Sequence, residues 1–470
     1  MNELKEKFSC NGTWWKPEHP DDKIHGTLSY NYQEGLKLDL KGEFNSENFS
    51  FTEIINGISE KGIQITLFGC AFSRGSSGTR RLDTSKYYSY RYSGFFCSVA
   101  YTSHHFLTSD EIKFQKICFS LNNLNEWLGI SGFNVKQELD HENDDVKFVI
   151  EYSRPKSIIA KINDQFSMSI DFDFSQPSYY PSSEVKMVQT PRITIDSNSE
   201  EKLSNFLKIL TQIRYFLSLG IMTPVYPYNF SGEIVSENLK EYDRWMKIYM
   251  RLDASLDVEK KIHFISMLFT YKDIQDKFGD LIRIWFEKRT LLEPVIDLYF
   301  SIYFNPEMPI NNQFLGAVQA IESYHRRFKK NELLAKSEFK KMKQGILDVL
   351  PEDQQIWLKP KLDFANEPSL YYRLKDLFSE YCELGFIFGF NRDHFAREVT
   401  DTRNYLTHYS SNLEKKALFG TDIIKATQQL KAVIQYLILL ELGFTRDEAQ
   451  KFANKITTRQ FSQNFITFNL

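Results

Sequence analysis

An arginine and a histidine lie five positions apart in the C-terminal part of the chain, in the order Arg403-Asn404-Tyr405-Leu406-Thr407-His408. Histidine titrates near neutral pH and can take up or release a proton during a reaction. The arginine fork binds phosphate oxygens and stabilises negative charge that develops on them. This pair could therefore support RNA cleavage by attack of a ribose 2′-OH on the adjacent phosphorus. Such a reaction leaves a 2′,3′-cyclic phosphate and a 5′-hydroxyl end, and its steps need no metal.

The helical periodicity around this motif predicts which side chains are available. At about 100° per residue, Phe395, Val399 and Leu406 share one apolar stripe that should face the core. Asn404 and His408 are on the opposite side, and Arg403 is at the edge of the stripe. The alternative, an ordinary solvated helix face, stays open on this pattern alone.

A local excess of positive charge follows the preceding predicted helix, between residues 325 and 343. This segment could track a phosphate backbone, although a solvated helix–loop–helix would look the same. The candidate substrate-binding residues on this side are Glu322, His325, Arg326, Arg327 and Lys330.

The composition excludes several classes of protein. The 470 residues carry a formal net charge of -3, so any nucleic-acid site must be local. The five cysteines are scattered without Cys-x-x-Cys spacing, and His104-His105 lacks further ligands, so we expect no metal, no cofactor and no disulfide framework. No apolar run is long enough to span a membrane, and the charged first residues do not resemble a signal peptide, so we expect a cytoplasmic protein.

The first part of the chain, residues 1–195, shows the alternating pattern of short β-strands. Residues 27–40 have the pattern of a hairpin that turns at Glu34-Gly35. Trp14 and Trp15 are expected to anchor a β core. The Gly- and Ser-containing segment between Arg74 and Arg81 is expected to be a mobile basic loop.

Helical periodicity dominates the rest of the chain. We expect a helical connecting region over residues 196–305, with a helix start capped by Ser197 and Glu200 and a further helix at 255–270. A second helical region is expected over residues 306–470, with Thr445 and Glu448 capping its last helix. The fold class is therefore α+β and multidomain: a sandwich or barrel-like β domain followed by an all-α region.

The C-terminal region, about 310–445, resembles the HEPN superfamily, in particular its Apea-like group, through the six residues from Arg403 to His408. The segments Gly12-Thr13-Trp14-Trp15-Lys16-Pro17 and Ile24-His25-Gly26-Thr27-Leu28 look like the start of the ApeA N-terminal domain, which Ile65-Thr66-Leu67-Phe68 also fits. Both resemblances occur in the expected order along the chain. The all-α region should then end in a HEPN helical bundle.

The resemblance implies a bacterial anti-phage protein that acts by abortive infection through a metal-independent ribonuclease. It implies tRNA, cut in the anticodon loop, as the substrate, and a homodimer or larger homo-oligomer in which two motif helices face each other. Arg403 and His408 would then be catalytic, supported by Asn404, and the β domain could sense a phage-derived trigger. The alternatives are a non-catalytic HEPN adaptor that binds RNA or protein, and a carbohydrate- or ligand-binding sandwich with a helical oligomerisation module.

Overall fold

The computed structural model describes residues 6–44, 50–83, 86–140, 145–175, 185–235, 244–251 and 260–455. These residues fall into two compact units, Met1–Arg283 and Ile284–Leu470. Each unit is described below by itself.

The described residues of the first unit form fourteen strands, which confirms the expected β-rich character of the N-terminal part. The strands are β1 (Lys7–Lys16), β2 (His19–Asn31), β3 (Gly35–Leu40), β4 (Phe51–Ser59), β5 (Gln64–Asp83), β6 (Lys86–Thr102), β7 (Lys113–Leu121), β8 (Phe133–Asp140), β9 (Asp145–Tyr152), β10 (Ile158–Lys161), β11 (Phe166–Ser175), β12 (Val188–Lys202), β13 (Pro227–Glu233) and β14 (Trp245–Met250).

Twelve of these strands form one antiparallel sheet, in the order β10-β11-β12-β7-β13-β14-β6-β3-β2-β1-β4-β5. Strand β5 also pairs with β6, so the six strands from β6 to β5 close into a ring. The first unit therefore contains a six-stranded barrel that continues through β14 into an open sheet. Strands β8 and β9 form a separate two-stranded sheet.

The barrel closes around inward-facing residues that alternate with exposed ones along each strand. Trp14 is fully buried, and its indole N–H donates to the backbone oxygen of Gly26 over 3.3 Å. A Cβ at Gly57 would lie 2.2 Å from the Trp14 ring, so only glycine lets β4 approach this closely. Trp14 is thus the core anchor that the sequence predicts. The same cluster contains Leu28, Leu38, Ile55, Leu67, Phe95 and Cys97.

The segment 196–305 is less helical than expected, because β13 and β14 lie within it. Strand β13 pairs with β7 through Ser231↔Cys118, and β14 pairs with β6 through Ile248↔Tyr101. Neither strand shows a long alternation of apolar and polar residues. Each is extended because it pairs with a strand that comes much earlier in the chain. The expectation of a helical region is wrong for these residues.

The first long helix, α2 (Leu203–Ile221), begins later than its predicted cap. Residues 197–202 are still part of β12, and Lys202 is the residue before the helix. Ser197 accepts a hydrogen bond from the backbone N–H of Ser199 instead of capping a helix. The capping-box prediction at Ser197 and Glu200 is wrong because sheet pairing holds this stretch extended. The apolar face of α2 then packs on β12 and β7.

Two further expectations in this unit are corrected. The residues from Arg74 to Arg81 form a strand, not a loop, since β5 runs through them and pairs with β6. The helix predicted at 255–270 is absent from 260–269, where only the 3₁₀ turn Phe264–Ser266 occurs, and residues 255–259 lie outside the described ranges. The other short helices here are α1 (Leu124–Leu128) and α3 (Tyr271–Ile274), and α4 (Phe278–Glu287) spans the division between the units.

The second unit is helical throughout its described elements, which confirms the all-α expectation. The elements are α5 (Arg289–Tyr303), α6 (Ile310–Phe328), α7 (Lys336–Asp348), α8 (Glu352–Leu362), α9 (Leu370–Glu380), α10 (Glu383–Phe388), α11 (Arg392–His408), α12 (Ser411–Glu414), α13 (Gly420–Glu441) and a last helix at 446–455.

Helices α5, α6 and α13 pack together, and Glu441 links them near the end of α13. One carboxylate oxygen accepts from Tyr324 of α6 over 2.8 Å, and the other accepts from Nζ of Lys288 over 2.7 Å. The last helix has the predicted capping box: the Thr445 N–H donates to the Glu448 carboxylate, and the Glu448 N–H donates back to the Thr445 hydroxyl. In the described part of the chain, none of the helices combines the length and apolarity that a bilayer crossing requires.

Candidate active site

Helix α11 carries the arginine–histidine motif, and local signals set both of its ends. The Asn391 side chain accepts a hydrogen bond from the His394 N–H at the start, as expected of an N-cap. Tyr409 ends the helix in a left-handed conformation, with φ of 51°. His408 is therefore the last helical residue.

The buried side of α11 is the one that the sequence predicts. Phe395, Val399 and Leu406 are all buried, as expected from their spacing. Thr402 is also buried, and its hydroxyl accepts a hydrogen bond from the backbone N–H of Leu418 over 2.9 Å. Helix α11 packs against α6 and α9. The hydrogen bond from Leu418 to Thr402 attaches the segment after α12 to α11.

Asn404 and the exposed His408 lie on the opposite side, and the half-buried Arg403 lies at the edge of the apolar stripe. Arg403 donates from Nη1 to Oδ1 of Asn404 over 3.1 Å, which orients the guanidinium along the helix surface. Within the described ranges, Arg403 has no carboxylate partner and the exposed His408 ring makes no hydrogen bond or ion pair. A guanidinium and an imidazole are therefore both available to a ligand.

The spacing of the motif also determines the directions in which one helix presents its two reactive side chains. Arg403 and His408 are five positions apart, which corresponds to about 7.5 Å along the helix axis and about 140° around it. The two side chains therefore leave the helix in different directions. Asn404 and His408 are only about 40° apart.

Aromatic side chains surround the end of the motif. Tyr405 contacts both Tyr409 and Phe419, with ring centroids 5.6 and 5.5 Å apart. Tyr409 is 69% exposed and Phe419 is 49% exposed. The sequence pattern did not point to this group, although its three aromatic residues lie within fifteen positions of the motif.

The predicted substrate-binding residues at the end of α6 are mostly engaged with other parts of the unit. Arg326 pairs with Glu322 and with Glu367, at 3.2 and 2.7 Å. Arg327 donates from Nη1 to the backbone oxygen of Thr290 over 2.9 Å. Lys330 is exposed. Contact between these residues and RNA stays a prediction.

His325 differs from its neighbours because it is only 1% exposed. Arg373 donates from Nη1 to its Nδ1 over 3.0 Å, and an arginine can only donate, so Nδ1 is an acceptor. Nε2 therefore carries the proton and faces Oδ2 of Asp376, 3.0 Å away. Burial lowers the pKa of His325, an effect that the hydrogen bond to Asp376 partly offsets. The ring is thus neutral and enclosed.

Arg373, like Asp376, is a residue of this cluster that the sequence did not reveal. It is 1% exposed and also donates to Oδ1 of Asn331 over 2.5 Å. It follows His325 by 48 positions, on another helix, and no local spacing connects the two. Only the packing of α6 against α9 brings them together.

The described residues contain no group of three or more His, Cys, Asp or Glu side chains arranged to hold a metal ion. The side chains that the motif offers are an imidazole, a guanidinium and an amide. These groups suit proton transfer and the binding of a phosphate.

Comparisons with known proteins agree with both parts of the fold. The model of ApeA N-terminal domain 1 matches residues 9–285, and the model of Apea-like HEPN matches residues 315–448. The first match includes β13, β14 and α2, and it ends beside the boundary of the first compact unit. No curated protein and no solved structure gives a significant match. Since the first match alone covers more than half of the chain, the protein belongs to the ApeA family and carries an Apea-like HEPN domain in its second unit.

Proposed function

We propose that this protein is a metal-independent endoribonuclease whose reactive pair is Arg403 and His408. The observation that supports the proposal is the surface of α11 inside the HEPN match, where Arg403 has no carboxylate partner and His408 no polar partner among the described residues. Both groups have the chemistry that cleavage by a 2′-OH requires.

The proposed reaction breaks one P–O bond and forms another within the RNA. The His408 imidazole takes the proton of the 2′-OH as that oxygen attacks the adjacent phosphorus. The Arg403 guanidinium stabilises the charge that develops on the phosphoryl oxygens. The departing 5′-oxygen is protonated by a second imidazolium, and the products are a 2′,3′-cyclic phosphate and a 5′-hydroxyl.

The angle of about 140° between the two side chains supports a site made from two copies of the chain. On a single α11 the Cα–Cβ bonds of Arg403 and His408 diverge by this angle, and the Arg403 guanidinium is held by Asn404, so we propose that the phosphate is bound between two copies. Two facing helices would place the arginine of one copy opposite the histidine of the other, and they would supply the second imidazolium. Tyr409 and Phe419 would then pack between the copies, consistent with their exposed rings.

A tRNA anticodon loop is the proposed substrate, because an unpaired loop leaves its 2′-OH groups free to adopt the geometry for attack. The proposed role is anti-phage abortive infection in the bacterial cytoplasm, supported by the ApeA N-terminal and HEPN matches. A constitutive tRNA nuclease would harm its own cell. The β-rich unit is therefore the proposed element that restrains the nuclease until a phage-derived trigger arrives.

The test is cleavage of bulk tRNA in the presence of EDTA by the wild type, His408→Ala and Arg403→Ala, with analysis of the RNA ends. A matched control is His394→Ala, since His394 is exposed on the same helix but pairs with Glu398 over 3.0 Å. We expect each motif substitution to reduce cleavage by about 10²- to 10⁴-fold. The control should cleave like the wild type.

The same cleavage assay is repeated in an extract of infected cells, because a restrained nuclease is expected to be inactive when pure. Cyclic-phosphate ends that depend on Arg403 and His408 under either condition would support the proposal. Equal behaviour of wild type and both variants under both conditions would contradict it, and would favour a non-catalytic HEPN adaptor.

A further inference from the structure

A cavity of about 520 Å³ lies on the outer surface of the barrel, over strands β1 and β2. Lys41, which follows β3, and Glu60, which follows β4, also line it. Cavities that bind small molecules usually have volumes of about 300–1,000 Å³, so this one is large enough for a metabolite. It belongs to the first unit and is separate from the reactive pair of α11, which is in the second.

The floor of the cavity is formed by outward-facing residues of β1 and β2. In the register of these strands Asn11 is opposite Thr27, and Thr13 is opposite His25. The Thr27 hydroxyl donates to Oδ1 of Asn11 over 2.9 Å, and a hydrogen bond of 3.2 Å joins the Thr13 hydroxyl to Nδ1 of His25. These bonds hold the floor in one arrangement before a ligand arrives, which reduces the entropic cost of binding.

Two lysines lie on either side of His25 at one edge of this floor. Lys23 is two positions before His25 on β2, which places it on the same face at a distance of about 6.6 Å along the strand. The backbone N–H of Lys41 donates to the backbone oxygen of His25 over 2.8 Å, so Lys41 is the neighbour of His25 across the strands. Both lysines are exposed, and neither has a carboxylate partner among the described residues. Two ammonium groups are therefore available to an anion.

The Trp15 ring forms one wall of the cavity. It is only 9% exposed, and the His105 ring packs edge-on against it with the centroids 5.1 Å apart. The Lys23 ammonium lies 5.3 Å from the centre of the same indole. Because the ring is nearly covered, it shapes the wall and positions Lys23, and it offers little area on which a ligand could stack.

Glu60 lies at the opposite edge of the floor from Lys41, because the sheet order is β3-β2-β1-β4. Its backbone N–H donates to the backbone oxygen of Asn11 over 3.0 Å. Glu60 is exposed, and it is the only acidic residue that lines the cavity in the described part of the chain. An ionised carboxylate accepts hydrogen bonds and donates none, so this edge suits the hydroxyl groups of a ligand and repels its anionic groups.

The remaining lining is mostly polar. The Asn11 amide nitrogen can donate to a ligand, since the amide oxygen already accepts from Thr27. Ile58, which is 40% exposed, is the one large aliphatic side chain that lines the cavity in the described part of the chain. A ligand that fits this lining is hydrophilic, carries negative charge at one end and carries hydroxyl groups at the other.

We propose that this cavity binds a ribose phosphate, with the phosphate between Lys23 and Lys41. The sugar hydroxyls donate to the Glu60 carboxylate and accept from the Asn11 amide. The same ribose phosphate group occurs in free pentose phosphates and in mononucleotides, and the experiment below separates these two sources. The proposal does not depend on the nuclease site.

The test is isothermal titration calorimetry of the full chain with four probes: ribose 5-phosphate, AMP, ribose and inorganic phosphate. At least one of the two phosphorylated sugars should bind, and added salt should weaken that binding because the lysines hold the phosphate by charge. Ribose should not bind, and inorganic phosphate should bind more weakly than the phosphorylated sugar. Binding of AMP alone would identify a nucleotide as the source, whereas binding of ribose 5-phosphate alone would identify a free pentose phosphate.

Variants at exposed positions separate the two ends of the site. Lys23→Ala and Lys41→Ala should each weaken binding of the phosphorylated sugar by about 10- to 100-fold. Glu60→Ala should weaken it by about 10-fold but should not weaken binding of inorganic phosphate, which has no sugar. Lys136→Ala is the matched control, since Lys136 is an exposed lysine of the separate two-stranded sheet, and it should bind like the wild type. Circular dichroism would verify that each variant is folded.

Three outcomes would overturn the proposal. The wild type could bind neither ribose 5-phosphate nor AMP. Ribose or inorganic phosphate could bind as tightly as the phosphorylated sugars, which would show that the cavity does not recognise the two groups together. Folded Lys23→Ala and Lys41→Ala could both bind like the wild type, which would place the ligand elsewhere on the protein.

Discussion

Arg403 donates a hydrogen bond from Nη1 to Oδ1 of Asn404, the residue that follows it on α11. Consecutive residues of a helix leave it about 100° apart, so the long arginine side chain must curve around the helix to make this contact. The amide therefore acts as a positioning group that holds the guanidinium near the sector of the helix that His408 occupies.

We predict that Asn404→Ala weakens RNA cleavage less than Arg403→Ala does. A single hydrogen bond of about 1 kcal/mol corresponds to a loss of about 5- to 10-fold. The loss should fall on kcat, with KM nearly unchanged, because the guanidinium remains present but is less well oriented. Asn404→Gln, which keeps an amide oxygen, should recover part of the rate. A loss in Asn404→Ala as large as that in Arg403→Ala would contradict a positioning role.

We predict that Arg373→Met destabilises the helical unit by about 3 kcal/mol. The substitution leaves Asn331 and His325 without their buried donor. Arg326→Met is the matched control: Arg326 shares Glu367 with Arg373 but is exposed, so its loss should cost less than about 1 kcal/mol. Urea unfolding followed by circular dichroism would measure both. An equal loss of unfolding free energy in both variants would show that the burial of Arg373 does not contribute to stability.

We predict that acid weakens the helical unit through His325. Its pKa in the folded protein lies below the ordinary value of 6.5, because burial disfavours the charged ring. The unfolded chain binds more protons below pH 6.5, so the contribution of His325 is complete above that pH and is lost as the pH falls through the folded-state pKa. Thermal unfolding at several pH values would compare wild type with His325→Gln, which does not titrate. The gap between their melting temperatures should shrink towards low pH, and a constant gap would contradict the assignment.

We predict that Phe419→Asp separates the proposed dimer and abolishes the proposed RNA cleavage. The substitution places a charge on an exposed aromatic group that contacts Tyr405 beside the motif. Light scattering coupled to size exclusion would show a mass near 55.4 kDa for the variant and a multiple of it for the wild type. Ile356→Asp, at an exposed position on α8, serves as the control and should keep the wild-type mass. A monomeric wild type that cleaves RNA would refute the two-copy site.

The sequence predicted the parts of the fold that local patterns determine. The buried stripe of α11 follows from the positions of Phe395, Val399 and Leu406, and the last helix follows from the pairing of Thr445 with Glu448. The β hairpin that turns at Gly35 is also present, with φ of 86° at that residue. In each case the residues that decide the structure are close together in the chain.

Other features depend on partners that are far apart in sequence. Ser197 and Glu200 have the spacing of a helix cap, yet the pairing of β12 with β7 keeps them in a strand. In the candidate site, the motif could be found from its spacing, but the enclosure of His325 by Arg373 and Asp376 could not. Such relationships appear only once the helices are packed.

The position of β13 and β14 in the middle of the sheet has a consequence for synthesis on the ribosome. Both strands lie between β7 and β6, so the sheet stays divided until residue 250 has left the exit tunnel. Pairs such as Ile248↔Tyr101 join residues almost 150 positions apart, and contacts of such range form slowly. The motif helix is translated some 140 residues later. At elongation rates of about 5–20 residues per second, the nascent chain has on the order of ten seconds to complete its sheet before the arginine–histidine pair exists.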